Sequence, residues 1–167
     1  MIGHLTDRVR AFADTLNAPR KSVKVPYANG DHYEGEIIGI QDSLRHGYGI
    51  YTYHDGLGRY EGEFLDDEKH GSGTFFFEGG DVYDGQWCSD EQHGTGILVT
   101  WAPQSGLWVY RGEFSHGVQA GTGELVARDR GALFGTWAAG RLLRGCELST
   151  ESRRPEVAVV DTDVASE

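Results

Sequence analysis

The segment Tyr60-Glu-Gly62-Glu-Phe64 is followed by Asp66-Asp-Glu-Lys69 and then by a run that begins His70-Gly-Ser-Gly73 and ends at Phe77. In its first five residues, aromatic side chains alternate with polar ones, which is the period of two that a β-strand shows. The four polar residues 66–69 predict a turn, and residues 71–77 predict a return strand. The segment therefore predicts a two-stranded β-hairpin.

The hairpin pattern recurs along the chain. Its first block begins at residue 33 and returns at 60, 83, 110 and, degraded, at 133, so the starts lie 27, 23, 27 and 23 residues apart. A second block of the form His-Gly-x-Gly follows at His46, His70 and His93, and Ala120 replaces the histidine in the fourth copy. We expect a half repeat at residues 25–32 and repeats at about 33–59, 60–82, 83–109, 110–132 and 133–146.

Stacking these hairpins would place the aromatic positions of successive repeats in register on one face of the sheet and acidic residues on the other. The aromatic positions, whether structural or lining a partner groove, are Tyr60, Phe64, Tyr83, Trp87, Tyr110 and Phe114. The acidic face would carry Glu61, Glu63, Asp84 and Glu113.

Glycine accounts for 25 of the 167 residues, and all but Gly3 lie between Gly30 and Gly145. A side chain between two aromatic rings of the repeat would crowd its neighbours, and glycine within a strand marks such a close approach. We therefore assign structural roles to the repeated histidines and glycines. These residues are Gly62, His70, Gly71, Gly73, Gly85, His93, Gly94 and Gly96.

The predicted fold is all-β, with tandem antiparallel hairpins forming one elongated, curved and twisted sheet of ten or eleven strands. Residues 1–24 predict a short amphipathic helix and a linker, because apolar residues from Ile2 to Leu16 recur at steps of three and four. This helix would either cap the first hairpin or anchor the chain to a membrane or a partner helix. Residues 147–167 predict an acidic, disordered tail.

Charge and cysteine content limit the classes of partner and the cellular compartment that the sequence allows. The formal net charge is −11, and residues 1–24 carry +3, so the remaining 143 residues carry −14. This charge opposes nucleic acid as a partner of the repeats and disfavours anionic membranes. No apolar run is long enough to predict a membrane span. Two cysteines, Cys88 and Cys146, predict buried thiols in a reducing compartment, so we expect a cytoplasmic protein.

No motif predicts catalysis, a cofactor or a metal. The repeated histidines would lie two strands apart, roughly 9–10 Å by strand spacing, which is too far for a shared zinc ion. The Gly-x-Gly pairs lack the further residues of a phosphate-binding loop and precede strands instead of helices. No nucleophile with an adjacent base is evident. We therefore expect a protein that is not an enzyme.

The pattern closely resembles the MORN (membrane occupation and recognition nexus) repeat, with Tyr-x-Gly-x-Trp followed by His-Gly-x-Gly and then aromatic residues. The repeat that begins at Tyr60 fits best, and the fifth repeat retains only Gly135, Trp137 and Gly140. The resemblance covers about residues 25–146. It implies an elongated hairpin array used for interaction or scaffolding, as occurs in cytoskeletal and flagellar proteins and at membrane junctions.

The leading hypothesis is a non-catalytic protein–protein interaction scaffold or adaptor whose partner is a basic peptide or helix, in a cytoskeletal or flagellar setting. A module that binds phosphoinositides or anionic membranes is the alternative, although lipid recognition usually needs clustered lysine and arginine. Self-association through the end strands is compatible with both.

Overall fold

The computed structural model describes residues 20–38, 44–103, 106–127 and 131–148. Eleven strands form one open antiparallel sheet in which each strand pairs with the strand before it in the chain. The all-β single-sheet fold predicted from the repeats is confirmed. The strands are β1 (Lys21–Pro26), β2 (His32–Ile38), β3 (Leu44–Thr52), β4 (Gly58–Leu65), β5 (Glu68–Phe77), β6 (Val82–Cys88), β7 (Glu91–Ala102), β8 (Gly106–Ser115), β9 (Val118–Ala127), β10 (Gly131–Ala138) and β11 (Arg141–Leu148).

The predicted N-terminal helix and most of the predicted acidic tail lie outside the described residues. Of the predicted linker, residues 21–24 belong to β1, and of the predicted tail, residues 147–148 belong to β11. In the described ranges no helix has the length and apolar character that crossing a membrane requires.

A row of glycines crosses ten of the eleven strands. It runs from Gly35 in β2 to Gly145 in β11, and each glycine pairs with the glycine of the next strand. A Cβ atom added at Gly73 would collide with the Tyr60 ring, and one added at Gly123 would collide with the Tyr110 ring. The row therefore exists because a tyrosine of each full repeat lies flat across the backbone at this level of the sheet.

The core is a ladder of aromatic rings on one face. Tyr60, Tyr83 and Tyr110 are at most 1% exposed. The fifth-position rings of the second, third and fourth repeats each pack between two successive tyrosines. Trp87, for example, has its ring centroid 5.2 Å from those of both Tyr60 and Tyr83, at interplanar angles of 80° and 90°. These edge-to-face contacts are a favoured aromatic geometry, and they link each repeat to the next.

Two-residue turns close four of the hairpins along one long edge of the sheet. Both turn residues have positive φ angles, as in Asp66-Asp67 (50° and 74°) and Ala139-Gly140 (48° and 74°). This is the type I′ geometry, whose twist matches that of the flanking strands. The turn predicted at residues 66–69 is shorter in the structure, because Glu68 and Lys69 already belong to β5. The aromatic face therefore receives Lys69 as well.

Candidate functional site

The tyrosine at the first position of each of the first four repeats donates its hydroxyl hydrogen bond at a bulge, where the pairing between the two strands of the repeat shifts. Between β4 and β5, Gly62 pairs with Gly73 but Glu63 pairs with His70, so residues 71 and 72 bulge away from β4. The Tyr60 hydroxyl reaches this break and donates a hydrogen bond of 2.9 Å to the carbonyl of Glu63. Burial raises the pKa of Tyr60 above its usual value, which keeps the hydroxyl protonated as a donor.

The residue at the fourth position satisfies the other side of the same bulge. The Glu63 carboxylate accepts a hydrogen bond of 3.2 Å from the backbone N–H of Ser72, and Gln86 accepts one of 2.8 Å from Thr95. Glu113 accepts from both the N–H (2.9 Å) and the hydroxyl (2.6 Å) of Thr122. These two donors lower the pKa of Glu113. The side chain at the fourth position thus accepts the hydrogen bond of the backbone N–H that the bulge leaves without a strand partner.

The six aromatic residues proposed from the sequence are buried parts of the core. Their exposed fractions lie between 0% and 6%, because each ring is covered by rings of the neighbouring repeats. Their positions are structural, and the rings that reach the surface of the same face belong to the second strand of the hairpins. Phe77 at the end of β5 is 37% exposed and packs on Phe75, with 4.5 Å between ring centroids.

The four acidic residues proposed from the sequence all lie on the face opposite the aromatic ladder, and each is engaged within the sheet. Glu61 forms an ion pair of 2.6 Å with Arg59, and Asp84 accepts a hydrogen bond of 2.7 Å from the Thr74 hydroxyl. Glu63 and Glu113 serve the bulges described above. This face is therefore held together by its own polar contacts.

Two basic residues, Arg45 and Lys69, pack against the rings of the aromatic face. The Lys69 Nζ atom is 5.2 Å from the centroid of the Trp87 ring and 5.7 Å from that of Phe75, and the side chain is only 13% exposed. The Asp90 carboxylate, in the turn of the next hairpin, is 3.4 Å from the same Nζ atom. Arg45 repeats the arrangement one hairpin earlier, with Asp67 as its acid. Each cation is held between aromatic rings and one carboxylate.

A cleft of about 550 Å³ opens beside Lys69 on this face. Its floor is apolar, with Phe75, Phe77, Trp87 and Leu98, and its rim carries Asp81, Asp90 and Glu91. It continues to the polar side chain of Gln92 and the turn residues His116 and Gly117. Asp90 is paired with Lys69, Glu91 lies 3.1 Å from the His116 Nδ1 atom, and Asp81 accepts a hydrogen bond of 3.0 Å from the backbone N–H of Trp101. The lining of this apolar cleft therefore holds more acidic than basic side chains.

The repeated histidines do not converge. His46 is buried, with its Nδ1 atom lacking a hydrogen-bond partner and 3.5 Å from Asp66, whereas His70 and His93 pair across the strands with Glu63 and Gln86. In the described part of the chain, no three histidine, cysteine or acidic side chains are grouped to hold a metal ion.

The expectation of buried thiols was wrong. Cys88 is exposed and Cys146 is half-buried. Cys88 directly follows the buried Trp87 in β6, so alternation along the strand turns its side chain to the opposite face.

Sequence reasoning missed the residues of the cleft. It assigned Lys69 to a turn, placed Phe77 at the end of the return strand and gave no binding role to Phe75, Phe77, Asp81 or Asp90. The signal was present in the run Phe75-Phe-Phe77, where alternation places the first and third rings on the face of Tyr60, as the pairing of Tyr60 with Phe75 shows.

Comparison with known families agrees with this geometry. The model of the MORN repeat matches residues 41–58, 60–82, 83–99 and 110–131, segments that fall within the first four repeats read from the sequence. No curated protein sequence matches the chain. MORN arrays are consistent with modules for protein interaction or membrane association and are generally non-catalytic. With these matches on a sheet built from stacked hairpins, the chain belongs to the MORN repeat family.

Proposed function

We propose that this chain is a non-catalytic protein-interaction scaffold that binds a basic segment of a partner polypeptide on its aromatic face. The observation that carries the proposal is the cleft of about 550 Å³, because its apolar floor lies beneath a rim of three carboxylates. Apolar clefts with a few convergent polar groups are the usual form of binding sites. A cytoplasmic setting at the cytoskeleton or a flagellum fits such a scaffold.

The distribution of charge supports a basic partner. Residues 60–91, which include most of the cleft, contain ten acidic residues and a single lysine, a net charge of −9. The basic residues of the described sheet other than Lys69 lie outside this segment, as with Lys24 in β1 and Arg144 in β11. Such a field attracts cationic segments at long range and accelerates their association.

An anionic membrane surface would be repelled by this negative charge. Lipid headgroups attract clusters of lysine and arginine, whereas Arg45 and Lys69, which lie among the rings of the aromatic face, are already paired with Asp67 and Asp90. Membrane binding is therefore the alternative function, and the experiment below includes a test for it.

The experiment is affinity capture with the full chain at low and at high salt, together with flotation on vesicles containing phosphatidylserine and phosphoinositides. We expect a polypeptide partner that is retained at low salt and released as salt rises, with no flotation. Retention of no polypeptide under either condition would contradict the scaffold proposal. Flotation that requires acidic lipid would instead establish the membrane-binding function.

A further inference from the structure

We propose that the cleft beside Gln92 is a socket for one lysine or arginine side chain of the partner polypeptide. The inference rests on the proposed function and specifies the chemistry of one contact within it. Its basis is a comparison between repeats of the same chain, two of which carry their own cation at this position.

The first two repeats define what the position holds. Arg45 pairs across the strands with Ile37, and Lys69 pairs in the same way with Phe64. The Arg45 Cζ atom lies 4.8 Å from the Tyr51 ring and 5.2 Å from the Phe64 ring. As described above, Lys69 has the equivalent rings of Phe75 and Trp87. A cation between two rings is thus a recurring feature of the aromatic face.

An aspartate accompanies the cation in both repeats. Asp67 and Asp90 each occupy the second position of the following type I′ turn and lie 3.1 Å and 3.4 Å from the basic groups of Arg45 and Lys69. Each also accepts a hydrogen bond from the backbone N–H of its basic residue, at 2.7 Å and 3.0 Å.

The third repeat lacks both charges. Gln92 pairs with Trp87 as Lys69 pairs with Phe64, and Gly117 takes the turn position of Asp90. Leu98, which pairs with Tyr83, stands where Phe75 pairs with Tyr60. The cleft lies at this position, and the three replacing residues all line it. The repeat has therefore lost its internal cation and has an opening in its place.

The surroundings of the opening remain suited to a cation. Asp81, Asp90 and Glu91 line the cleft, with Asp90 paired to Lys69 and Glu91 3.1 Å from the His116 Nδ1 atom, and Phe77 is 37% exposed on its floor. The alkyl stem of an incoming lysine or arginine would pack on Phe77 and Leu98, and its charge would lie at the acidic rim. An acidic side chain would meet three carboxylates, so the site selects for positive charge.

The fourth repeat provides an internal control. Gln119 and Gly140 also replace the basic residue and its aspartate there. The two residues before Gln119, however, are Gly117 and Val118, where the third repeat has the rim acids Asp90 and Glu91. This position therefore lacks the acidic rim, and we confine the socket to the third repeat.

The test uses the full chain and a synthetic hexa-arginine peptide, with hexa-glutamate as the opposite-charge probe. The double variant Gln92→Lys/Gly117→Asp installs the lysine and aspartate of the second repeat and thereby fills the socket from within. The matched control, Gln119→Lys/Gly140→Asp, makes the same substitutions one repeat later. Both variants leave the net charge unchanged, so a general electrostatic effect on the peptide would be the same in both.

We expect calorimetry to show hexa-arginine binding that weakens about tenfold in Gln92→Lys/Gly117→Asp and changes less than twofold in the control. Binding should also shift the indole N–H resonance of Trp87 and leave that of Trp137 unmoved in the unmodified chain. The two indoles donate to equivalent carbonyls, Gly73 and Gly123, but only Trp87 lines the cleft. This second readout needs no variant to fold.

The socket is overturned if hexa-arginine does not bind, if it binds no better than hexa-glutamate, if both double variants weaken binding equally, or if Trp137 responds as strongly as Trp87. A protein partner that Gln92→Lys/Gly117→Asp still retains at full strength would also overturn it, while leaving the scaffold function intact. Loss of that partner in Gln92→Lys/Gly117→Asp, but not in the control variant, would support both the socket and the scaffold function.

Discussion

At the fourth position of the second, third and fourth repeats, one acceptor side chain determines whether the bulge keeps its hydrogen bonds. Glu113 shows this most clearly, because it accepts two hydrogen bonds from Thr122. Gln86 accepts the corresponding bonds from Thr95 without a charge. The geometry thus requires an acceptor at this position but does not require a carboxylate.

The first prediction concerns the pH dependence of stability. The hydrogen bonds from Thr122 lower the pKa of Glu113 below its ordinary value of 4.5, so the unfolded chain binds a proton at higher pH than the folded chain. The contribution of Glu113 to stability is therefore present above pH 4.5 and is lost as pH falls through the folded pKa. Urea unfolding midpoints between pH 3 and pH 7 would measure it.

The variant Glu113→Gln, which copies the third repeat, should keep the hydrogen bonds and flatten this part of the pH profile. Glu113→Ala should lower stability across the whole range, because it leaves the Thr122 N–H without its acceptor. An unchanged pH profile in Glu113→Gln would contradict the assignment.

A second prediction at the residue scale concerns the glycine row. In Gly73→Ala the new methyl group would collide with the buried Tyr60 ring, and Tyr60 has no room to move because it is fully buried. We expect a loss of about 1–3 kcal/mol in the free energy of unfolding. Gly79 is the matched control, since a Cβ atom there meets nothing within 4 Å and its φ is not positive. Gly79→Ala should change stability by less than about 0.5 kcal/mol.

Single residues were predictable from the sequence where the period of two and the repeat register agree. Both place Tyr60 and Phe64 on one face and Gly62 between them. The bulge was not predictable, because it depends on which residue of β5 faces Glu63, and alternation within one strand carries no information about its partner's register. For the six aromatic residues the sequence left both a structural role and a groove role open, because the extent to which neighbouring repeats cover each ring depends on the register between strands.

At the scale of the elements, the four type I′ turns vary in how well their residues suit positive φ. Asp66-Asp67 and His116-Gly117 carry residue types that tolerate the left-handed region, whereas Ala139 adopts a φ of 48° with an ordinary side chain. We predict that Ala139→Asn, which creates the favoured Asn-Gly turn, raises the free energy of unfolding by about 0.5–1 kcal/mol.

The neighbouring Ala138 is the control for this turn. It is also exposed, but it lies in β10 and has no positive φ, so Ala138→Asn should bring no gain. Chemical denaturation of the two variants distinguishes the turn from a general effect of asparagine. Equal gains in both would contradict the turn argument.

Hairpins were predictable as elements, but their exact ends were not. The polar run 66–69 indicated a four-residue turn, whereas the structure uses two residues and continues both strands to them. Lys69 then becomes a strand residue that packs under the rings of Phe75 and Trp87, which is why the acidic cleft beside it was not foreseen. Composition alone assigns such a charged residue to a turn, because the sequence does not show which rings its long aliphatic stem packs against.

At the scale of the whole molecule, stability should vary along the sheet because the extensive contacts between strands all join strands that are adjacent in it. Central strands such as β6 are covered on both sides, whereas β11 pairs with one neighbour among the described residues. We predict that amide hydrogen exchange is slowest in the central strands and becomes faster towards β11.

Gly135→Ala tests whether unfolding is local or global. The added Cβ atom would collide with the backbone carbonyl of Arg144 in β11, so the variant should open β10 and β11 while protection in β5 and β6 stays unchanged. A domain that unfolds as one unit would instead lose protection in all strands by the same factor, and this result would contradict the array interpretation. Because the socket lies in the third repeat, at a distance from β10, the variant should also retain hexa-arginine binding. Loss of both central protection and peptide binding would show that the sheet behaves as a single cooperative unit.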